Sequence, residues 1–379
     1  MISYVLPTRN RPERLRDTLR ALDALGPHQE CGGAEVIVVD NDSDERPILP
    51  RQLRSGLPLH YIRLKENLGA AARNVGVSAS DPASSWIVML DDDSYPDDTA
   101  FFGLLADLPA DVGAVSADIF LPGKNALGHA PREMGGLPEV FIGCGVAIRR
   151  DLFLSLGGYD HAFNYYVEEY DLAARMMMAG ARVVFAHEFT VQHEKDTANR
   201  DFNLILSRLV RNNGWIAQRY APDNRREIEL REILTRYREI GEKEDALAGY
   251  GQGLRQLRAS IRAQRRSPMP AEIWDRFTGL AATRDHLAAA HARAPFRSAT
   301  IVDAGKNAWA VAKALRELGV RLVDYGEDVD AHVIGTLSPG PMLDALTRRT
   351  RLLRTHSTRL LAPWLPASLT KAAKAVEAA

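Results

Sequence analysis

The chain has 379 residues, of which 46% are hydrophobic and 26% charged. This composition excludes disorder as the main state, because it supplies ample apolar material for a core. Lys and Arg number 48 against 49 Asp and Glu, so the net charge is −1. That balance disfavours a broad nucleic-acid-binding surface, which needs an excess of cations. At about 100–200 residues per domain, the length predicts two or three domains.

The sequence gives no sign of export or of a membrane span. Its two cysteines, Cys31 and Cys144, cannot build a disulfide framework, which favours a reducing compartment. The most apolar runs, such as residues 86–90, fall far short of the about 20 residues that cross a bilayer. The first residues also lack the basic and apolar regions of a signal peptide. We therefore expect a cytoplasmic protein without a transmembrane segment.

The first hundred residues alternate short apolar strands with helical segments. Strands are predicted over 2–6, 34–39, 60–64 and 86–90, and helices over 13–25 and 70–78. This alternation is typical of an α/β domain with a parallel sheet, whose ligands bind at the carboxyl ends of the strands. Three of these strands end in polar residues: Thr8-Arg9-Asn10, Asp40-Asn41-Asp42 and Asp91-Asp92-Asp93.

Beyond residue 100 the pattern changes twice along the chain. A strand is predicted over 140–149, helices over 150–156 and 168–179, and a further strand over 183–186. Residues 203–294 are helical in character, and the mixed charges of 224–266 favour a solvated helix or hairpin. After residue 295, strands over 300–303, 321–324 and 331–335 and a helix over 308–318 predict a small second α/β unit. The tail from residue 348 is basic and apolar.

The acidic triplet Asp91-Asp92-Asp93 follows a predicted buried strand. Three adjacent carboxylates repel one another, and a hard divalent cation such as Mg²⁺ or Mn²⁺ would offset that repulsion. A solvated acidic turn or helix cap is the alternative that the residues leave open. The donors of residues 8–11 suit an anion or a nucleobase edge but also a helix N-cap. Asp40 suits either a base N–H or a turn.

Several segments of the first half, in this order, resemble the family 2 glycosyltransferases of the GT-A fold. They are residues 5–11, 38–43, 67–76 with the family's Asn-x-Gly and Ala-Arg-Asn-x-Gly patterns, and 90–93, which is similar to its DxD motif. Residues 143–150, 157–160, 168–175 and 191–193 resemble its acceptor-side strand, its Gly-Gly turn, its acidic helix and its strand ending in His. The resemblance implies a GT-A, Rossmann-like α/β catalytic domain over 1–220, a helical region over 221–295, and a small α/β accessory domain with a basic tail over 296–379.

The matching positions are expected to form a donor site and a metal site. The resemblance assigns the donor nucleotide to Pro7, Thr8, Arg9, Asn10, Asp40, Asn67, Arg73, Asp91 and Asp92. It assigns a Mn²⁺ or Mg²⁺ ion to Asp93, Asp91 and His193, where the ion would neutralise the leaving diphosphate.

The expected catalytic base is Glu169, near the start of the acidic helix. The family usually has Asp at this position, so Glu169 keeps the carboxylate but moves it by about one methylene. Glu168, Asp171 and Arg175 are expected on the acceptor side. Alternatively, Glu168 is a helix-start carboxylate, and Asp171 and Arg175 form an i, i+4 ion pair.

These roles imply a metal-dependent, inverting hexosyltransferase of a type used in polysaccharide biosynthesis. Its donor is a nucleotide-diphosphate sugar, with UDP favoured over dTDP and GDP, and its acceptor is a hydroxyl on a glycan, a lipid-linked glycan or a small metabolite. A base opposite the leaving group implies a single displacement. A homo-oligomer and peripheral contact of the basic tail with the inner membrane face stay open.

Two other functions compete with this one. A non-catalytic nucleotide-sugar-binding or scaffold protein with a degenerate site is the first alternative, and the intact acidic triplet and Glu169 argue against it. A sugar-nucleotide pyrophosphorylase is disfavoured, since residues 7–12 are not the Gly-rich, basic loop that such an enzyme needs.

Overall fold

The computed structural model of the chain describes residues 1–26, 28–29, 32–124, 130–133, 135–195, 201–324, 328–353 and 359–365. Cys31 and the distal part of the predicted basic tail, including Arg354 and Lys371, lie outside the described residues. Within these ranges, the helices are all too short or too polar to cross a membrane.

A nine-stranded mixed sheet forms the centre of the N-terminal half. Its strands are β1 (Ile2–Thr8), β2 (Ala34–Asp40), β3 (Leu59–Arg63), β4 (Trp86–Met89), β5 (Ser94–Pro96), β6 (Val112–Phe120), β7 (Arg132–Glu133), β8 (Val146–Arg149) and β9 (Arg182–His193). They lie in the order β3-β2-β1-β4-β8-β6-β9-β5, with β7 beside β6. The first four strands pair in parallel, as predicted. Beyond them β8 runs antiparallel between β4 and β6, so the sheet is mixed.

Both faces of this sheet are covered, which explains why β1, β2 and β4 are buried and mostly apolar. Val5 and Ile37 lie in one hydrophobic cluster, whereas the alternate residues Leu6 and Val38 lie in another. The covering helices are α1 (Pro12–Ala24), α2 (Ala72–Ser78), α3 (Phe101–Ala106), α4 (Arg150–Ser155) and α5 (Glu168–Met178). α1 begins at Pro12, whose fixed φ suits the first helical position.

The predicted strand over 140–149 is wrong in its first half. β8 covers only Val146–Arg149, and residues 143–145 form a turn instead. The glycines on both sides of Cys144 leave room for neighbouring side chains, since a Cβ at Gly145 would lie 2.8 Å from Ile119 and one at Gly143 would lie 3.2 Å from the Arg73 guanidinium. The turn therefore lets Arg73 approach the backbone closely.

A helical region lies between the large sheet and the C-terminal part, and five α-helices of it fall within the described residues 201–294. They are α6 (Phe202–Tyr220), α7 (Arg226–Lys243), α8 (Leu247–Ser260), α9 (Ala271–Phe277) and α10 (Leu280–Arg293). α6 and α8 pack closely because Gly249 and Gly253 of α8 face the α6 backbone. A Cβ at these glycines would lie 2.3 Å from the Asn203 carbonyl oxygen and 2.4 Å from that of Ser207. The helical character predicted for this region is confirmed.

The C-terminal part is a small parallel α/β unit, as predicted. It comprises β10 (Ser298–Val302), α11 (Ala308–Glu317), β11 (Arg321–Leu322), β12 (Ala331–Ile334), α12 (Pro339–Leu353) and β13 (Arg359–Leu361), with strand order β11-β10-β12-β13. The described part of the predicted tail packs onto the protein. Arg348 and Arg349 pair with Asp303, and the buried Trp364 donates from Nε1 to the Leu337 carbonyl at 3.0 Å.

One hydrophobic cluster runs through all three parts of the chain. It includes Val5 of the large sheet, Trp215 of α6 and Trp364 near the last described residue. The expected core position of Trp215, which is 5% exposed, is thus confirmed. Domain boundaries at residues 220 and 295 stay a prediction, because the core is continuous across both.

Candidate active site

The carboxyl ends of three neighbouring strands bring the predicted donor residues together. β1 ends at Thr8, β2 ends at Asp40, and residues 91–93 follow β4 after one further residue. Because β1 lies between β2 and β4, the three segments meet at one edge of the sheet. Ligands of open α/β sheets bind at this edge.

Asp92 points towards the loop after β1 and is almost fully buried, with 5% of its side chain exposed. Its Oδ2 accepts a hydrogen bond from Thr8 Oγ1 at 2.8 Å, and its Oδ1 accepts one from Arg11 Nη1 at 2.6 Å. Burial raises the pKa of Asp92 to about 7, although Arg11 and Thr8 favour the charged form. The carboxylate thus ties the end of β4 to the start of α1. Its contact with a donor nucleotide stays a prediction.

Asp93 and His193 face each other at the ends of two strands. His193 Nε2 lies 3.4 Å from Asp93 Oδ1, and Arg11 pairs with Asp93 Oδ2. Burial opposes the charged form of Asp93, but His193 and Arg11 outweigh it and lower the pKa of this carboxyl to about 2. Burial also opposes a charged imidazole, yet Asp93 and Cys144 raise the pKa of His193 to about 10. His193 Nε2 and Asp93 Oδ1 therefore lie close together in a buried position.

Glu133 of β7 and Cys144 contact the other nitrogen of His193. His193 Nδ1 lies 2.8 Å from Glu133 Oε2 and 3.5 Å from Cys144 Sγ. Lys195 pairs with the remaining carboxylate oxygen of Glu133. A hydrogen bond at Nδ1 fixes the ring so that Nε2 faces the acidic triplet. Burial raises the pKa of the Cys144 thiol, which agrees with its expected role as a small buried side chain.

The side chains around the acidic triplet and His193 could bind a divalent cation. Asp91, Cys144 and His193 each offer one ligand atom, and the three atoms lie within 4.8 Å of one another. Asp93 contributes a buried Oδ1 that accepts no hydrogen bond from the part of the chain that the structure describes. Carboxylate oxygens are the ligands that Mn²⁺ and Mg²⁺ prefer. The three residues predicted as metal ligands, Asp91, Asp93 and His193, are thus brought together.

Arg73 of α2 joins the acidic triplet to the turn before β8. Its guanidinium pairs with Asp91 and donates to the Gly143 carbonyl at 3.3 Å, with 7% of the side chain exposed. Burial works against this charge, but Asp91 and the neighbouring acids keep the pKa of Arg73 above its ordinary value. A charged Arg73 is therefore held beside the proposed cation position.

The loops after β1 and β2, which carry predicted nucleotide-binding residues, hydrogen-bond to each other. Asn10 Nδ2 donates to Asp44 Oδ2 at 3.0 Å, and the Asp44 N–H donates to Asn10 Oδ1 at 2.8 Å. The exposed Arg9 donates to the Asp42 carbonyl at 3.2 Å, and Pro7 is half-buried. Arg9 and Asn10 are therefore accessible to a ligand, while their loop is fixed against its neighbour.

Asp40 is fully buried and engaged within the protein. Its Oδ2 accepts from the Tyr61 hydroxyl at 2.6 Å and its Oδ1 from the Ser43 N–H at 2.8 Å. Burial raises the pKa of this carboxyl, but the hydrogen bonds from Ser43 and Tyr61 outweigh burial and lower it. Asn67 is exposed, and its Oδ1 accepts from the Gly69 N–H at 2.9 Å. A nucleotide contact at Asp40 or Asn67 stays a prediction.

Glu168 and Glu169 open α5 beside Arg73. The Gly143 N–H donates to Glu169 Oε1 at 3.3 Å, so Gly143 binds Glu169 through its amide and Arg73 through its carbonyl. Burial raises the pKa of both carboxyls, and the positive charge of Arg73 partly offsets this. A raised pKa brings a carboxylate closer to the range that suits a general base.

The segment before α5 adopts a sparsely populated backbone conformation. Asn164, Tyr166 and Val167 have φ values of 64°, 70° and 75°. A positive φ is unfavourable for bulky side chains and most of all for a β-branched one. Such residues cost about 1–3 kcal/mol each and persist where the surroundings hold them. Glu168 and Glu169 therefore follow a turn whose conformation must be stabilised by contacts with the rest of the fold.

Asp171 and Arg175 form the ion pair that was the alternative to an acceptor role. Arg175 Nε donates to Asp171 Oδ2 at 2.9 Å. Asp171 Oδ1 accepts from Arg219 Nη1 at 2.8 Å and from the Tyr220 hydroxyl at 2.6 Å. These contacts bind α5 to α6, and an acceptor contact of either residue stays a prediction.

Sequence reasoning missed the residues that support the predicted site. Glu133 lies in a two-residue strand, which is too short to have a periodic pattern. Arg11 is visible as a donor in the first turn, but its ion pairs with Asp92 and Asp93 are not. One available signal was the charge of the triplet, because buried carboxylates need cations nearby.

The chain is similar to known proteins in part of its sequence and in its fold. Residues 3–154 match the family model described as glycosyl transferase family 2, and a search of curated proteins returns no match. S. aureus TarS 1-349 in complex with UDP-GlcNAc is 16% identical, with 84% of this chain and 92% of that chain covered and a TM-score of 0.51. This likeness shows a shared fold.

Two further solved structures are similar at lower TM-scores. GalNAc-T7 with UDP, GalNAc and Mn²⁺ is 14% identical, covers 69% of this chain and has a TM-score of 0.49. The present chain spans 57% of the GalNAc-T7 chain, which is less than two thirds of it. The mannosyltransferase PcManGT from Pyrobaculum calidifontis, in complex with GDP-Man and Mn²⁺, is 16% identical, with 84% of this chain and 86% of that chain covered and a TM-score of 0.42.

The matched segment holds the acidic triplet, Arg73, Glu133 and the turn at Gly143, so sequence and geometry point to the same sheet edge. Residues 3–154, which carry most of the candidate site, are thus similar in sequence to glycosyl transferase family 2.

Proposed function

We propose that the protein transfers a sugar, with inversion, from a nucleotide-diphosphate sugar to an acceptor hydroxyl. One observation carries the proposal. Arg73 pairs with Asp91 of the candidate cation site and donates to the Gly143 carbonyl, while the Gly143 amide binds Glu169. A carboxylate of the candidate cation site and a buried candidate base are thus joined through two residues, which suits the transfer of a sugar from a diphosphate to an acceptor.

The donor side stabilises the leaving group. Asp91, Asp93 and His193 would hold Mn²⁺ or Mg²⁺, and the ion, when bound, supplies positive charge to the departing diphosphate. Arg73 is buried beside Asp91. Its guanidinium is already in place, so the site need not reorganise as negative charge develops on the leaving group. Among UDP, dTDP and GDP donors we favour UDP, with its nucleoside at Thr8, Arg9, Asn10 and Asp40.

Glu169 acts on the acceptor. The acceptor oxygen bonds to the anomeric carbon as the bond from that carbon to the phosphate oxygen breaks, and the hydroxyl proton passes to the Glu169 carboxylate. A single displacement of this kind inverts the anomeric centre. The raised pKa of Glu169, caused by burial, makes it a stronger proton acceptor than a solvated carboxylate.

We place the acceptor, a glycan, a lipid-linked glycan or a small metabolite, on the side of the helical region. A groove of about 880 Å³ lies between α6, α7 and residues 304–309 and is lined by Phe202, Leu209, Ile240 and Trp309 with Arg236 and Lys306 among the charged residues. A chain of contacts runs from the groove to the residue that follows the candidate base: Arg236 Nη1 lies 3.4 Å from Asn307 Oδ1, and Asn307 Nδ2 lies 3.1 Å from the Gly136 carbonyl oxygen. Tyr170, next to Glu169, hydrogen-bonds to the Gly136 backbone.

A cytoplasmic location, membrane contact and a homo-oligomer stay predictions.

The test combines binding with turnover. UDP, dTDP and GDP are added with and without Mn²⁺, and the melting temperature is measured. Hydrolysis of UDP-, dTDP- and GDP-sugars is then assayed for wild type, Glu169→Gln and the control Glu227→Gln, whose side chain is 81% exposed. We expect one nucleotide to stabilise the protein, and Glu169→Gln to reduce kcat by about 10²–10⁴-fold without weakening nucleotide binding.

Two outcomes would contradict the proposal. If no nucleoside diphosphate changes the melting temperature, the donor site is wrong. If a nucleotide binds but no sugar nucleotide is turned over, the non-catalytic nucleotide-sugar-binding protein is the better interpretation.

A further inference from the structure

The turn before α5, residues 163–167, is hydrogen-bonded to one buried side chain of α6, that of Asn212. Asn212 is 0% exposed, and its Nδ2 donates to the carbonyl oxygens of Phe163 at 3.2 Å, Tyr165 at 3.2 Å and Tyr166 at 2.7 Å. Three carbonyls that point towards one amide group need a donor there, because a buried carbonyl without a partner is costly. Asn212 therefore determines where this stretch of backbone lies.

The orientation of the Asn212 amide is itself fixed. Arg211 Nε donates to Asn212 Oδ1 at 2.8 Å, which directs Nδ2 towards the turn. Arg211 Nη2 also donates to the Phe163 carbonyl at 3.1 Å, and its guanidinium stacks 4.6 Å from the centroid of the Trp215 ring. Two consecutive residues of α6 thus contact the same turn through complementary donors.

The turn held in this way is the strained one. Residues 164, 166 and 167 have positive φ, a conformation that their side chains do not favour on their own. On its other side the Asn164 carbonyl accepts from the Ala70 N–H at 2.8 Å. The turn therefore lies between the donor-side loop after Asn67 and helix α6, and it leads directly into the acidic pair.

We propose that Asn212 is a positioning residue for Glu169. It contacts neither the candidate cation site nor Glu169, and it acts through the backbone of residues 163–167. Without its three hydrogen bonds the turn relaxes towards negative φ, and the start of α5 moves relative to the Gly143 amide that Glu169 contacts. This inference rests on the proposed role of Glu169 as the base.

The test separates the positioning of the base from nucleotide binding and from folding. Asn212→Asp has the same shape but replaces the donor with a carboxylate that three carbonyls repel. Asn213→Asp is the matched control, because the neighbouring Asn213 donates to the Leu209 carbonyl and the Tyr237 hydroxyl instead of the turn. Steady-state hydrolysis of the sugar nucleotide that wild type turns over fastest gives kcat and KM, and UDP binding with Mn²⁺ gives the fraction of active molecules.

We expect Asn212→Asp to lower kcat about 100-fold, as a displacement of about 1 Å at a reacting group does. KM and UDP affinity stay within about threefold of wild type, and Asn213→Asp keeps wild-type kcat. A merely structural role would lower the fraction of active molecules and leave their kcat unchanged. Wild-type kcat in the UDP-binding fraction of Asn212→Asp, or an equal loss in Asn213→Asp, would overturn the inference.

Two further measurements keep the inference testable. If Asn212→Asp does not fold, Arg211→Lys is used, which removes the guanidinium contacts to Phe163 and Asn212. A kcat about tenfold lower at unchanged KM would support the inference, and an unchanged kcat would overturn it. If wild type turns over no sugar nucleotide, the proposed function fails by itself. Amide hydrogen exchange across residues 163–169 then decides: faster exchange in the Asn212 or Arg211 variant than in Asn213→Asp supports positioning, and equal exchange overturns it.

Discussion

Nε2 of His193 lies 3.4 Å from Oδ1 of Asp93, although a hundred positions separate the two residues in the chain. Sheet pairing creates this contact, because Ser94 at the start of β5 is the register partner of His193 at the end of β9. A long strand therefore delivers an imidazole to the acidic triplet, and Glu133 orients it from behind.

His193→Asn should raise the metal concentration that activity requires. We expect the Mn²⁺ concentration for half-maximal hydrolysis of the sugar nucleotide to rise at least about tenfold, since loss of a ligand or of its orienting partner typically costs 10–100-fold in metal affinity. His187→Asn on the same strand is the control, because its side chain is 41% exposed and pairs with Glu188. An unchanged Mn²⁺ titration for His193→Asn would remove this residue from the metal site.

Glu169→Asp introduces the residue that is usual in the family. Because the backbone of α5 is fixed for the longer side chain, we expect kcat to fall about tenfold or more as the carboxylate retracts. Activity should nevertheless exceed that of Glu169→Gln, which has no basic carboxylate at all. The comparison of kcat at equal donor saturation checks this. Equal activity of the Asp and Gln variants would show that the carboxylate at residue 169 is not the base.

The parts of the fold that could be predicted are those with strong local patterns. β1, β2 and β4 are mostly apolar runs that end in polar residues or are followed by them, so both the sheet and the edge that carries the candidate site could be predicted from the sequence. β5 and β7 have three and two residues, which is too few for periodicity. Their positions, and with them the contacts of His193 and Glu133, depend on long-range pairing.

The separate roles of the three aspartates could not be predicted either. Asp91 pairs with Arg73, Asp92 with Thr8 and Arg11, and Asp93 with Arg11 and His193. Adjacent residues in an irregular turn point in directions that no repeat specifies. The motif therefore predicts a cation site, while the partner of each carboxylate depends on elements distant in the sequence.

Asp171→Asn tests whether the ion pair on α5 is structural. Asp171 has 1% of its side chain exposed and pairs with Arg175 and Arg219. Removing one partner of a buried pair leaves a charge uncompensated and destabilises the fold by about 3–5 kcal/mol. We expect a lower free energy of unfolding in urea, with kcat per UDP-binding molecule within about threefold of wild type. A large loss of kcat without a loss of stability would instead favour the acceptor-side role.

Glu229, on α7, lies outside the candidate active site. Glu229→Gln should remove the contribution of this carboxyl to the pH dependence of stability. Glu229 of α7 has 8% of its side chain exposed and accepts from Trp274 Nε1 at 3.0 Å, with Arg225 at 3.2 Å. Burial raises its pKa above 4.5, although Trp274 and Arg225 favour the charged form. A carboxyl that holds its proton more tightly in the folded state stabilises that state below the unfolded pKa, and this stabilisation is lost as the pH rises through the folded pKa.

The stability of wild type relative to Glu229→Gln should therefore be highest near pH 4 and should fall as the pH rises above about 4.5. The amide of the variant still accepts from Trp274, and Arg225 keeps its second partner, Asp275, at 2.6 Å, so the variant folds. Melting temperatures of both proteins between pH 4 and 8 measure the difference, with Glu227→Gln at the exposed neighbouring position as the control. A difference that is constant with pH, or that grows in favour of wild type as the pH rises, would show that the Arg225 ion pair outweighs burial at this site.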